Sequence, residues 1–397
     1  MLVLEARQRL GGRVWTIDDP EWPLPIELGA EFVHGRHAKN DALLADAGVV
    51  TVAMQGDRRV LASGRLRPAQ RSESAFPRLM ALARRAGKGS MGDVLARAAG
   101  DPGLAGAVPM LRAFIEGFHA ANPDDLSARE FAREGGPDDS LRVVNGYARL
   151  VEWLARGFDP KTELGLGMPV TAVSRVRAGV ELIATPARGG ERRILARRAV
   201  ISVPLGVLQS GRIRFDPEPL EQLRAARAIG FGGVVRGVLR FDAAFWAREP
   251  IRDAGFIHGP GLAFPTFWTL APLRAPILVA WAAGPNAARL SRECSPSTMV
   301  RRAIESLSVL LAEPARRIER ALVAARFHDW CSDPHALGAY SYVRPGEERA
   351  MRRLARPCDD TIFFCGEACE FGGNYSTVNG ALTSGTRTAD YIERLDH

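Results

Sequence analysis

The sequence predicts an α/β protein of two or three domains that opens on a dinucleotide-type strand. Three observations carry that expectation. The chain has 397 residues, 46% hydrophobic and 25% charged, with mean hydropathy −0.08, so it can bury large cores and is neither disordered, fibrous nor a small disulfide-stapled scaffold. Strand-like apolar runs stand near both ends and from Gly167 onward, around a helix-rich stretch over 56–145. Finally, Met1-Leu-Val-Leu-Glu-Ala6 reads as a buried strand closed by Glu5, and a dinucleotide fold uses an acid at that place to hydrogen-bond ribose hydroxyls.

The elements follow in order. After the first strand, Arg7-Gln-Arg-Leu-Gly-Gly-Arg13 supplies paired glycines that let backbone approach a phosphate, and Arg13 can add bidentate charge. Pro25 to Gly35 is a second glycine-punctuated apolar segment, followed by a helix over 36–47. Residues 56–145 read as helix-rich, with loops at Gly100-Asp-Pro-Gly103 and Gly135-Gly-Pro137. A helix over 145–157 places Leu150, Val151 and Leu154 on one face. From Gly167 the period becomes two: Val170, Val173 and Val176, then Val180 to Ile183, then Ala199 to Pro204, short strands returning into the sheet as a meander. Val234 to Phe241 is a further strand and Pro296 to Leu311 a helix. The chain closes with a strand over 361–365, Gly366-Glu367, and a helix over 376–395. That helix carries Gly380, Ala381, Ser384 and Thr388, small residues that suit a close partner helix, a flat ligand or a sheet equally.

Several function classes drop out. The net charge is +8, yet only Lys39, Lys88 and Lys161 are lysines among the 53 basic residues, and no basic run of five occurs. Scattered arginine of this kind describes a solvated surface, so no nucleic-acid partner is expected. No lysine sits in Gly-Lys-Ser/Thr, no serine has glycine at both −2 and +2, and no H-E-x-x-H occurs. Cys294, Cys331, Cys358, Cys365 and Cys369 are an odd number at spacings that match no zinc pattern, which reads as reduced structural thiols without metal. The most apolar stretch, 262–283, holds Arg274 and three prolines and reads as folded core, so no membrane partner is expected either.

Four segments in order carry a resemblance: Leu2 to Arg13, Glu27 to Gly35, Val200 to Leu208, and Phe364 to Ala368 with Thr377 to Ala381 and Ser384-Gly385. Together they resemble the flavin-containing amine oxidase family, near its polyamine oxidase and histone-lysine demethylase branches, over nearly the whole chain. The resemblance implies a discontinuous Rossmann-like FAD-binding domain over 1–55, 146–209 and 355–397. It also implies an α+β substrate domain with a mixed sheet over 56–145 and 210–354. By position, Glu5, Ala6, Arg7, Gly12 and Arg13 resemble the first cofactor contacts, Glu5 toward ribose and Arg13 toward pyrophosphate. Gly29, Ala30 and Glu31 resemble a second cofactor segment, and Val170 the residue whose backbone meets adenine. Gly366 and Glu367 resemble the ribityl and phosphate contacts, and Thr377 and Val378 a helix start facing the flavin pyrimidine, where the helix dipole suits developing negative charge. Tyr340 and Tyr375 resemble walls of an aromatic cage, and His34 a polar active-site group.

The implied chemistry is oxidation of a small amine to an imine by hydride transfer to flavin N5, with dioxygen as acceptor and hydrogen peroxide as product. The implied chain is a cytoplasmic monomer or homodimer. Three departures qualify the resemblance. Arg236 stands where the family carries a lysine, and arginine does not give up its proton as lysine can. Ala339 stands where monoamine oxidases carry the cysteine linked to flavin, so FAD is expected to be noncovalent. The strand and G-x-G-x-x-G turn expected before Glu5 are not in the sequence. Either the true start lies about 30 residues upstream, which could add an export signal, or this is an N-terminally truncated copy with weak FAD binding. An amino-acid oxidase of the same fold, and a catalytically impaired relative acting as a binding protein, are the alternatives.

Overall fold

A computed structural model of the chain describes residues 1–35, 37–134, 140–187, 189–248 and 251–396. Arg36, the Gly135-Gly-Pro137 loop and His397 therefore lie outside the described residues. The largest sheet has seven strands in the order Leu322–Asp329, Val234–Phe241, Ile277–Ala283, Thr266–Thr269, Ala254–His258, Asp57–Ala62 and Arg65–Pro68. All its neighbours run antiparallel except Ala254–His258 with Asp57–Ala62, so the sheet is mixed. Val234–Phe241 is an apolar run because both its edges are paired and both its faces covered. Val235 and Leu239 face the helices Pro285–Glu293 and Pro296–Leu311, packing with Ile304 and Leu307. Val238 faces the opposite way, onto Trp22, Ile26 and Leu28 from the N-terminal segment. Period two puts Arg236 on that second face.

Pro296–Leu311 forms where its spacing predicts. Ser295 caps the start by accepting from the Thr298 N–H at 3.3 Å, Pro296 fills the first turn, and Ala312 ends it at φ +50°. Met299, Ala303, Ile304, Leu307 and Leu310 make its buried stripe. The strands after Gly167 form a meander, Val170–Val176, Gly179–Ala184 and Arg192–Ala196, joined by Arg214–Asp216 in parallel as a separate four-stranded sheet.

Two expectations change. The opening strand is short and half-buried: only Val3–Leu4 pair, parallel to Leu164–Gly165, while Met1 and Leu2 are 85% and 45% exposed. Parallel pairing elsewhere is confined to short pieces such as Ala199–Ile201 with Ile362–Phe364. And the helix-rich stretch begins with a hairpin, Asp57–Ala62 and Arg65–Pro68, that extends the large sheet. Its Ser63-Gly64 turn has φ of +50° and +75°, the geometry of a two-residue hairpin turn. Its apolar content is low because half its residues face water. The helices Gln70–Arg85, Met91–Ala99, Val108–Phe118 and Ala128–Glu134 then follow.

Candidate active site

One cavity of about 1950 Å³ runs between the N-terminal segment, the C-terminal helix and the large sheet. It exceeds the range of roughly 300–1,000 Å³ typical of a single drug-sized ligand, so it has room for a dinucleotide-sized group together with a second molecule.

One end is built from backbone turns. Glu5 ends the first strand, its Oε1 accepting the Arg7 N–H at 2.8 Å. Gly12 at φ +57° and Gly366 at φ +118° line this end, and a Cβ built on either meets nothing within 4 Å, so both leave a cradle open to a flat ligand. Thr377 caps the helix Val378–Asp396, its Oγ1 accepting the Gly380 N–H at 3.0 Å, and both Thr377 and Val378 reach the cavity. Tyr375 is buried, has a hydroxyl without a protein partner, and lines the cavity with its ring. Open glycines, a helix start beside the cavity and an acid at a strand end fit a flavin dinucleotide.

Other expected contacts turn inward. Arg13 Nη1 donates to Glu367 Oε1 at 2.7 Å and to the Ala339 carbonyl at 2.6 Å, while Glu367 Oε2 accepts the Ser341 hydroxyl at 2.5 Å. Glu367 therefore anchors Arg13. The Arg7 guanidinium is clamped bidentately by Asp333 at 2.6 and 3.0 Å. Ala6, Gly29, Ala30 and Val170 line the cavity wall. The small-residue helix face serves two ends. A Cβ on Gly380 would meet the Asn374 carbonyl at 2.1 Å, Ser384 Oγ accepts the Gly366 N–H at 3.3 Å, and Ala381 faces the cavity.

Asp333 is a buried hub. Burial alone would raise its pKa, but bonds from His328 (2.9 Å), Arg7 and the His335 N–H hold the carboxyl well below the usual range. A carboxyl depressed in the folded state contributes stability above its unfolded pKa of about 3.9, and that stability is lost as pH falls through the folded value. Asp333→Asn is expected to cost about 1.5–3 kcal/mol at neutral pH. Its stability should also vary less than the wild type's between about pH 4 and pH 2, which chemical denaturation across pH would measure.

The other end of the cavity is aromatic. Tyr340 donates its hydroxyl to the Phe118 carbonyl at 3.0 Å. His34 Nδ1 meets Ser140 Oγ at 2.9 Å, and its ring packs edge-on against Phe32 and Phe118, each about 6.0 Å away. Trp268 and Trp281 complete this wall, with centroids 5.5 Å apart.

Arg236 is 3% exposed and does not reach freely into the cavity. It is ion-paired to Glu31, whose other oxygen is ion-paired to Arg142, and Trp268 Nε1 donates to Glu31 at 3.3 Å. Arg236 also donates to the Gly29 carbonyl at 3.3 Å and Arg142 to the Thr269 carbonyl at 3.0 Å. Burial pushes both guanidinium pKa values down, in Arg142 with help from the charge of Arg236. Sequence reasoning singled out Glu31 and Arg236 but missed Arg142, Trp268 and Trp281. No local signal marks Arg142, which lies 111 residues from Glu31 and is brought in by the pairing of Leu141–Val143 with Phe32–Val33.

All five cysteines are free, and burial drives the Cys365 thiol up to about 11 and that of Cys331 to about 12. Among the described residues no helix is long and apolar enough to cross a membrane.

Comparison with known proteins agrees with this geometry. The chain is 27% identical over 426 residues to polyamine oxidase 2 of Arabidopsis thaliana, covering 98% of this chain and 82% of that protein. It is 27% identical to human lysine-specific histone demethylase 2, covering 98% of this chain but half of that protein. Among solved structures it superposes on cyclohexylamine oxidase of Brevibacterium oxydans with TM-score 0.80 at 20% identity, covering 100% of this chain and 94% of that one. It superposes on a putrescine oxidase bound to putrescine with TM-score 0.81 at 22% identity, covering 99% and 93%. The sequence profile for flavin containing amine oxidoreductases matches residues 1–97 and 107–393. The chain therefore belongs to the flavin-containing amine oxidoreductase family, with the mixed α/β fold of its solved oxidases.

Proposed function

We propose that this chain binds FAD noncovalently and oxidises a small amine with dioxygen as acceptor. The observation that carries the reading is one continuous cavity that joins a glycine-cradled turn and helix start at one end to an aromatic wall at the other. Bound flavin supplies the acceptor for hydride from the carbon beside nitrogen and returns both electrons to dioxygen, giving hydrogen peroxide, while water hydrolyses the imine.

The residues divide the remaining work. Segments 1–55, 146–209 and 355–397 hold the cofactor, and 56–145 with 210–354 form the substrate side. Glu5 receives ribose, Arg13, held in place by Glu367, faces phosphate, and the Val170 backbone meets adenine. The start of the helix Val378–Asp396, capped by Thr377, turns the positive end of its dipole toward the cofactor's pyrimidine edge. Tyr340, Tyr375 and His34 wall the amine, exclude water and orient it. Ala339 lines this region and offers no sulfur for a covalent link. Arg236, pinned by Glu31, gives the site a fixed charge in place of an exchangeable proton.

The test is the visible spectrum of the purified protein and its bleaching by amines without oxygen. A protein that stays colourless when offered FAD would end this reading, and one that binds flavin but is never bleached would support the impaired-relative alternative, which the pinned Arg236 favours. Tyr340→Ala should lower kcat/KM by about tenfold or more while flavin content holds, because it removes a wall of the substrate end. Equal loss of both would place Tyr340 elsewhere.

A further inference from the structure

Arg7 and Arg13 line the cavity, and so do Leu10, Gly11, Gly12 and Val14, but Arg9 between them does not. Its half-buried guanidinium turns back on the loop instead. Nη1 donates to the Leu10 carbonyl at 3.1 Å and to the Val14 carbonyl at 3.2 Å, and Nη2 donates to the Gly12 carbonyl at 2.8 Å. Three carbonyls of loop 10–14 thus converge on one planar donor fork, a geometry that an ammonium does not copy. The fork is itself held in place. Its carbon lies 4.4 Å from the ring centroid of Trp15, which packs edge-on against His328 at 4.8 Å. Burial, and then the charge of Arg7, push the Arg9 pKa down to about 10, which leaves the group charged at neutral pH.

The loop needs such a brace. Gly11 and Gly12 have φ of +93° and +57°, and glycine has the widest backbone freedom to lose when a ligand orders it. The Val14 N–H closes the turn onto the Gly11 carbonyl at 2.9 Å. A trans peptide sets its carbonyl and its N–H on opposite sides. Drawing the Leu10 and Gly12 carbonyls onto Arg9 therefore turns the N–H groups of Gly11 and Arg13 away from it, and among the described residues neither meets a protein acceptor. Open N–H groups in a glycine turn suit an anion. Resting on the reading that this cavity takes FAD, we propose that Arg9 is a positioning residue: without touching the cofactor, it holds loop 10–14 in the shape that receives the phosphates.

The experiment uses the flavin-free full chain as wild type, Arg9→Gln and Arg9→Lys, well below their melting transitions. Each is titrated with FAD by quenching of flavin fluorescence, and amide hydrogen exchange is followed without the ligand. Arg9→Gln should raise the FAD Kd by about tenfold or more, because the loop must then be ordered at the moment of binding. Arg9→Lys should raise it nearly as much, since it keeps the charge and loses the fork. Amides of loop 10–14 should exchange about tenfold faster in both variants, while the helix Pro296–Leu311 exchanges as in wild type. General destabilisation would speed both regions together and leave the Kd of the folded protein unchanged. Wild-type FAD affinity in Arg9→Gln, full recovery in Arg9→Lys, or unchanged loop exchange would overturn the bracing role and leave the flavin reading standing. Wild-type protein that binds no FAD would overturn both.

Discussion

Glu31→Gln is expected to destabilise the protein by about 3–5 kcal/mol, lowering its thermal midpoint by roughly 4–6 °C for a chain of 397 residues. Glu31, Arg142 and Arg236 are all 5% exposed or less, and the carboxylate lies between the two guanidinium groups. Neutralising it leaves two like charges facing each other inside the protein, each with a buried Nε that has no protein partner to share the load. Removing one member of a buried ionic group costs far more than replacing the whole group, because the desolvation already incurred is no longer offset. The double variant Glu31→Gln/Arg236→Met should therefore recover at least half of the loss, a sign that independent sites would not produce. Differential scanning calorimetry of the flavin-free proteins reads both. A single variant melting within about 2 °C of wild type would mean that the cluster is not the buried unit described.

Gly366→Leu should empty the cofactor end. At φ +118° the residue is confined to glycine-favouring backbone, and the space its Cβ would enter is open cavity. Leucine adds two penalties, backbone strain of about 1–3 kcal/mol and an isobutyl group in the cradle. Gly366→Ala shares the first and little of the second. Flavin content per protein, read from the ratio of visible to 280 nm absorbance, is expected below a tenth of wild type for Leu and intermediate for Ala, if the added side chain costs binding about 1.4 kcal/mol or more. Thermal midpoints of the two variants without flavin should agree closely. Wild-type flavin content in the leucine variant would show that the cradle faces away from the cofactor.

Much of this protein is legible along the chain because its signals are local. Val234–Phe241 and Pro296–Leu311 occur where apolar runs and helical spacing put them, since period and capping depend on neighbours a few residues apart. The Asp57–Pro68 hairpin is harder to read because its edge position leaves few apolar residues to mark a period, so only its Ser-Gly turn signals it. Short motifs likewise point to Glu5, Gly12, Gly366 and Thr377, where backbone conformation itself shapes the wall.

What no stretch of sequence displays is which charges are spent on one another. Arg7 and Arg13 look free in the sequence, yet Asp333 and Glu367, 326 and 354 residues away, take them up. Arg236 looks in the sequence like a catalytic group at the family's lysine position until strand pairing brings Glu31 and Arg142 against it. Sequence alone thus determined the family, its longer regular elements and the backbone turns at the glycine-cradled end of the cavity. Tertiary structure alone decided the electrostatics of the aromatic end of the cavity, because an ion pair depends on distance through space and burial, and neither is encoded by proximity along the chain.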